Sequence, residues 1–123
     1  MAGTYNAVAG ADVSGSLCQF SLNGRYIYLQ EWNSRPAYVL ADGSRFIYYL
    51  SLHAKWYMGD TLGSITVRAQ AESNAADVFG INGGWLEFCD GAWSSSGLTL
   101  QVSSDCTDCI AGKSMLTLSY LLS

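Results

Sequence analysis

Aromatic and β-branched positions cluster into short runs that recur at a fixed step. Arg25-Tyr-Ile-Tyr-Leu, Arg35-Pro-Ala-Tyr-Val-Leu, Arg45-Phe-Ile-Tyr-Tyr-Leu and Lys55-Trp-Tyr-Met each open on a basic residue, and those four residues stand ten apart. An even step of that length is what a meander of short antiparallel strands produces. The punctuation agrees with it. Asn23-Gly24 predicts a hairpin turn between Phe20-Ser-Leu and the first run, Trp32-Asn-Ser-Arg35 the next turn, and Ala41-Asp-Gly-Ser44 a third. Pro36 stands at the start of its run, where a missing N–H is tolerated.

Further along, Ser64–Gln70 alternates β-branched and polar residues, the mark of a half-exposed strand. Residues 71–83 read as a polar loop with one helical turn. Trp85-Leu-Glu-Phe88 resumes the sheet, Asp90-Gly91 turns, Trp93 faces back, and Leu98–Val102 forms another strand. The terminal run Met115–Leu122 alternates Leu116, Leu118, Tyr120 and Leu122 against Thr117 and Ser119 and reads as a strand, with a short helix as the alternative. One proline, and glycines that fall nearly all in the turns, complete an all-β pattern. The expected fold is a compact antiparallel meander, a small sandwich or barrel of about seven to nine short strands.

A chain of 123 residues forms one domain, residues 1–123. Within it, residues 1–18 read as an N-terminal arm, 19–102 as the core module, and 103–123 as a cysteine-containing loop and terminal strand. Only 13% of residues are charged, against about 25% in an average soluble protein. The surface is therefore largely uncharged and polar, as is common outside the cell. A net charge of −4 with six basic residues spread along the chain argues against a nucleic-acid partner, which needs clustered Lys and Arg. No run reaches the ~18 apolar residues that span a bilayer. The first ten residues lack a signal peptide's basic start and apolar stretch, so an exported form would begin as a mature or partial chain. Asparagine is nowhere followed by the Ser/Thr pattern of N-glycosylation.

Cys18, Cys89, Cys106 and Cys109 form an even set in a short chain, which favours two structural disulfides and an oxidising compartment, extracellular or at the cell surface. Three pairings are open. Cys106-Thr-Asp-Cys109 lacks the second Cys-x-x-Cys of a zinc ribbon and the strand-to-helix setting of a redox pair. Asp105 and Asp108, interleaved with those cysteines, read as solvated acids, and no metal or other cofactor is expected.

The order Asn23-Gly-Arg-Tyr, Trp32-Asn-Ser-Arg-Pro-Ala-Tyr, Phe46-Ile-Tyr-Tyr, Lys55-Trp-Tyr-Met-Gly-Asp, Gly84-Trp-Leu-Glu-Phe and Asp90-Gly-Ala-Trp spans about Leu22 to Val102. It resembles a small aromatic and glycine-rich β module found, often repeated, in extracellular or surface proteins of protists and marine invertebrates. That resemblance implies a building block rather than an enzyme.

Candidate chemistry is sparse. His53 is the only histidine, at a strand end, with no Gly-x-Ser-x-Gly elbow in the chain. Glu31, Glu87 and Asp90 supply carboxylates for a glycan hydrolase, the alternative from the enzyme class. The stronger candidates are aromatic: Trp32, Tyr48, Trp56, Tyr57, Trp85 and Trp93. Neighbours such as Tyr48 and Tyr49, or Trp56 and Tyr57, must point to opposite faces of a strand, so some rings leave the core face. An aromatic outer face suits a sugar or a neighbouring protein, with Arg35, and in the same way Arg25 and Arg45, adding cation–π partners. The expected function is a non-catalytic extracellular binding or assembly module that makes protein–protein or glycan contacts, as a structural subunit of a surface assembly or a lectin-like module.

Overall fold

The computed structural model describes residues 10–81 and 84–103. The fold is all-β: nine antiparallel strands in one curled sheet. They are β1 (Ala11–Ser14), β2 (Gly24–Trp32), β3 (Arg35–Leu40), β4 (Phe46–Leu50), β5 (Lys55–Gly59), β6 (Ala69–Ala71), β7 (Leu86–Cys89), β8 (Ala92–Ser95) and β9 (Thr99–Val102). The spatial order is β8-β7-β6-β5-β4-β3-β2-β1-β9, a meander whose last strand returns to the first.

That return forces the curl. Laid flat, nine strands place the two end strands about 38 Å apart at ~4.8 Å per strand. Only Ser96, Gly97 and Leu98 separate β8 from β9, and a chain that short reaches about 14 Å. One stretch thus pairs with β7 through its first half and with β1 through its second. At the crossing Gly15 and Gly97 press together: a Cβ on Gly15 would stand 2.3 Å from the Gly97 carbonyl oxygen, and the φ of Gly15 is +83°. Both features require glycine there.

The concave side holds the main core. Ala11, Tyr26, Tyr38, Ile47, Tyr49, Trp56, Met58 and Ala69 are buried in one cluster drawn from β1 to β6. Such a set meets only across the inside of a curled sheet. The convex side carries a smaller cluster of Ala37, Tyr48 and Tyr57, packed by Trp32, Phe46, Leu50, Leu62 and Val67. Tyr48 and Tyr49 point to opposite faces, as period-two geometry demands. Burial raises the Tyr38 and Tyr48 hydroxyls to about 12.

The turns follow their sequences. Asn33 and Ser34 both adopt positive φ, +52° and +64°, the paired left-handed geometry of a two-residue hairpin turn. Asn33 Oδ1 also accepts from the Ser51 N–H at 2.8 Å, tying this turn to the one between β4 and β5. Asp77 caps the 3₁₀ turn Val78–Gly80 through the N–H groups of Phe79 and Gly80.

Three expectations are corrected. Phe20–Leu22 is a 3₁₀ turn and not the first arm of a hairpin, so Asn23-Gly24 leads into β2. The reason lies just upstream, where the N–H groups of Leu17, Cys18 and Gln19 are committed to a carboxylate instead of a strand partner. The strand expected at Ser64–Gln70 shrinks to Ala69–Ala71. Its first half wraps the convex face, where Leu62 and Val67 cover Tyr48 and Tyr57 and the Tyr48 hydroxyl donates to the Ser64 carbonyl at 2.6 Å. Residues 11–14 of the expected arm form β1, with Ala11 and Val13 buried between β2 and β9. Met115–Leu122, Cys106, Cys109, Asp105 and Asp108 lie outside the described residues. No helix among the described residues is long and apolar enough to cross a membrane.

Candidate functional site

Glu87 sits on β7 opposite Ala69, facing the concave core, and is fully buried. A carboxylate in that position is tolerable only when its charge is compensated by hydrogen bonds. Five donors surround it. Oε1 accepts from the Ser16 hydroxyl at 2.8 Å and from the N–H groups of Gln19 at 2.9 Å and Cys18 at 3.1 Å. Oε2 accepts from the Leu17 N–H at 2.6 Å and from the Ser96 hydroxyl. Burial pushes the carboxyl up, but the Ser96 hydroxyl and the backbone donors outweigh it and hold the group down at about 2.

The same segment is stapled covalently, because Cys18 and Cys89 form a disulfide. Cys18, Glu87 and Cys89 are also the one trio of metal-ligand type among the described residues, their ligand atoms lying within 4.8 Å of one another. The sulfurs are spent on each other and the carboxylate oxygens on five donors. What the trio does is join residues 16–19, at the end of β1, to β7 across the curl.

The other candidate carboxylates stand apart from Glu87 in character. Glu31 is exposed and accepts from the Tyr28 hydroxyl at 3.3 Å. Asp90 is exposed at the first position of the β7–β8 turn, with a φ of +52°. His53 is exposed, with Nδ1 2.7 Å from the Tyr57 hydroxyl.

The basic residues at ten-residue steps are consumed internally. Arg25 meets Asp12 at 3.3 Å, Arg45 meets Asp60 at 3.3 Å, and Lys55 meets Glu72 at 3.9 Å. Arg35 places its guanidinium 3.9 Å over the Tyr49 ring and donates to the carbonyls of Ala75 at 2.8 Å and Asn74 at 2.7 Å. It therefore clamps the β6–β7 connection onto the sheet. Trp56 assists, its indole N–H donating to the same Ala75 carbonyl at 3.2 Å.

The aromatic candidates divide sharply. Trp56, Trp85, Tyr48 and Tyr57 are buried and belong to the two cores, so they offer no face to a ligand. Trp32 is half-buried against Gly63, where a Cβ would stand 2.6 Å from the indole ring. Trp93 alone among the tryptophans is exposed, at 40%. Its cross-strand partner Phe88 is 41% exposed, and the two rings pack edge to face with centroids 5.3 Å apart. Phe88 escaped the sequence reading, although the two-residue turn Asp90-Gly91 fixes the pairing of residues 88 and 93 and carries that information.

Charged and polar groups lie beside this pair. The Phe88 N–H donates to the Arg68 carbonyl at 3.0 Å, which sets Arg68 directly opposite on the neighbouring strand segment. Arg68 holds both Asp60 oxygens, at 2.6 and 2.8 Å, and also donates to Gln19 at 2.9 Å. The Asp60 carboxyl is lowered, first by its hydrogen bond to Arg68. Compared with known proteins, the chain matches no protein-family model, no curated protein and no solved structure.

Proposed function

We propose that this chain is a non-catalytic binding or assembly module, extracellular or at the cell surface, whose contact surface is the Phe88–Trp93 pair on the convex side of β7 and β8. The observation that carries this is the placement of Trp93: Trp56 and Trp85 are buried and Trp32 is half-buried, while this one stands exposed beside an exposed phenylalanine. Aromatic residues are enriched at the cores of protein interfaces, and tryptophan is enriched among the few residues that carry most of the binding energy. The Cys18–Cys89 disulfide fits an oxidising compartment.

Two features favour a protein partner over a sugar. The rings meet at 67°, so no single flat pyranose face can lie on both. The adjoining β8 also ends the sheet order, which offers backbone groups to an extended chain. A catalytic role finds little support in Glu87, whose oxygens are occupied by five donors and whose charge is held by them.

The test is selection of a phage-displayed random peptide library on the immobilised protein and on Trp93→Ala, with a glycan array run in parallel. Peptides enriched by the parent protein and lost with Trp93→Ala are the expected result. Enrichment indifferent to Trp93, or Trp93-dependent binding on the glycan array alone, would overturn the reading.

A further inference from the structure

The direction of the backbone groups on β8 follows from its neighbours. In β7 the Phe88 N–H addresses Arg68, on the β6 side. Successive residues of an antiparallel strand address opposite neighbours, so Glu87 and Cys89 address β8. Their partners Ser94 and Ala92 address β7 in return, and the Ser96 N–H continues that ladder to the Trp85 carbonyl at 2.9 Å. Trp93 and Ser95 therefore turn their N–H and C=O groups away from β7. Among the described residues β8 pairs with no other strand.

An edge of this kind is a template for another strand unless charge, proline or a bulge blunts it. Here nothing of the sort is present. Between Asp90 and Asp105 the sequence contains neither a charged residue nor a proline. In a chain of net charge −4, this is a place where two copies approach without like charges meeting. The edge is also self-complementary: Trp93 and Ser95, the two outward-facing residues of β8, are exchanged by a two-fold axis through Ser94, so an identical edge fits it.

We infer that the partner of this surface is a second copy of the chain, paired β8 to β8 in antiparallel register about Ser94. In that register Trp93 stands opposite the partner's Ser95, and Ser95 opposite the partner's Trp93. The outward N–H and C=O groups of both residues then find partners across the axis. Trp93 lies on the convex face with Phe88, so the same two-fold brings the aromatic pairs of both copies to the seam and removes them from water. This inference rests on the contact surface proposed above and adds the identity of its occupant.

The experiment is sedimentation velocity over a concentration series on the intact chain, on Ser95→Pro and on Trp93→Ala. Proline at position 95 removes an outward N–H while leaving the β7 ladder in place. A monomer–dimer equilibrium weakened about tenfold or more by each substitution is the expected result. Should Ser95→Pro lose the near-ultraviolet circular dichroism of the fold, Ser95→Lys tests the same edge by charge. Dimerisation indifferent to position 95 would overturn the inference, as would a monomer throughout. A monomer that still enriches Trp93-dependent peptides would remove the second copy and leave the contact surface standing. A monomer that enriches none would remove both.

Discussion

Leu17 and Glu87 are joined by a hydrogen bond of 2.6 Å from the Leu17 N–H to Glu87 Oε2, across 70 residues of sequence. Three consecutive backbone N–H groups and two hydroxyls converge on this one carboxylate, at the place where the curled sheet brings β1 and β7 together. Glu87→Gln keeps the shape and puts an amide NH₂ where donors already point. Removing one partner from a buried charged network of this kind is expected to cost about 3 kcal/mol. Urea denaturation of the two proteins measures it, and a loss below about 1 kcal/mol would mean that the cluster is not what closes the sheet.

The same group sets an acid limit. Glu87 is lowered from 4.5 to about 2 in the folded chain, so it contributes stability in full above its unfolded value. That contribution, about 3 kcal/mol, is lost as the pH falls from about 5 toward 2. Thermal melts of the parent protein should show this decline, and Glu87→Gln should flatten it. A parallel decline in both proteins would assign the acid sensitivity to other carboxylates, Asp60 first among them.

The Cys18–Cys89 bridge closes a separation of 71 residues. Reducing such a loop releases roughly 4 kcal/mol of denatured-state restraint. Because the bridge and the Glu87 cluster hold the same segment, their losses should not add: with the bridge open, Glu87→Gln should cost less than it does with the bridge closed. A double-mutant cycle using Cys18→Ser with Cys89→Ser reads this coupling, and strict additivity would show two independent anchors.

Arg35 is a clamp on the β6–β7 connection rather than part of a ligand face. Arg35→Ala removes the stack over Tyr49 and both carbonyl bonds, with an expected cost of about 1 to 2 kcal/mol. The local signature is faster amide exchange around Asn74 and Ala75, with β2–β5 unchanged. Uniform acceleration across the sheet would contradict a local role.

Much of the architecture was legible because period-two runs and turn residues are local signals. The ten-residue steps placed β2 to β5, and Asn33-Ser34 and Asp90-Gly91 placed their hairpins. The curl was not legible, since it depends on β9 returning to β1 and on Glu87 collecting donors from residues 16–19, and no local pattern marks a distant strand pairing or a buried glutamate. The same long-range contact turned Phe20–Leu22 from an expected strand into a 3₁₀ turn. The aromatic face misled for a related reason: period two sends one of each neighbouring pair to the outer side without saying which, and the two that lie there, Tyr48 and Tyr57, are covered by the wrap of Leu62 and Val67. Trp93 was among the expected site residues, and the exposure that separates it from Trp56 and Trp85 comes from its position on an end strand.

The measurement that bears most directly on the contact surface is residue-resolved amide exchange at low and high protein concentration, followed at Trp93 and Ser95. Both amides point away from β7, so they should exchange quickly in dilute solution and become protected as concentration rises, together with reduced solvent access at the Trp93 ring. Rapid exchange at both positions at every concentration, with the sheet otherwise protected, would contradict pairing through this edge.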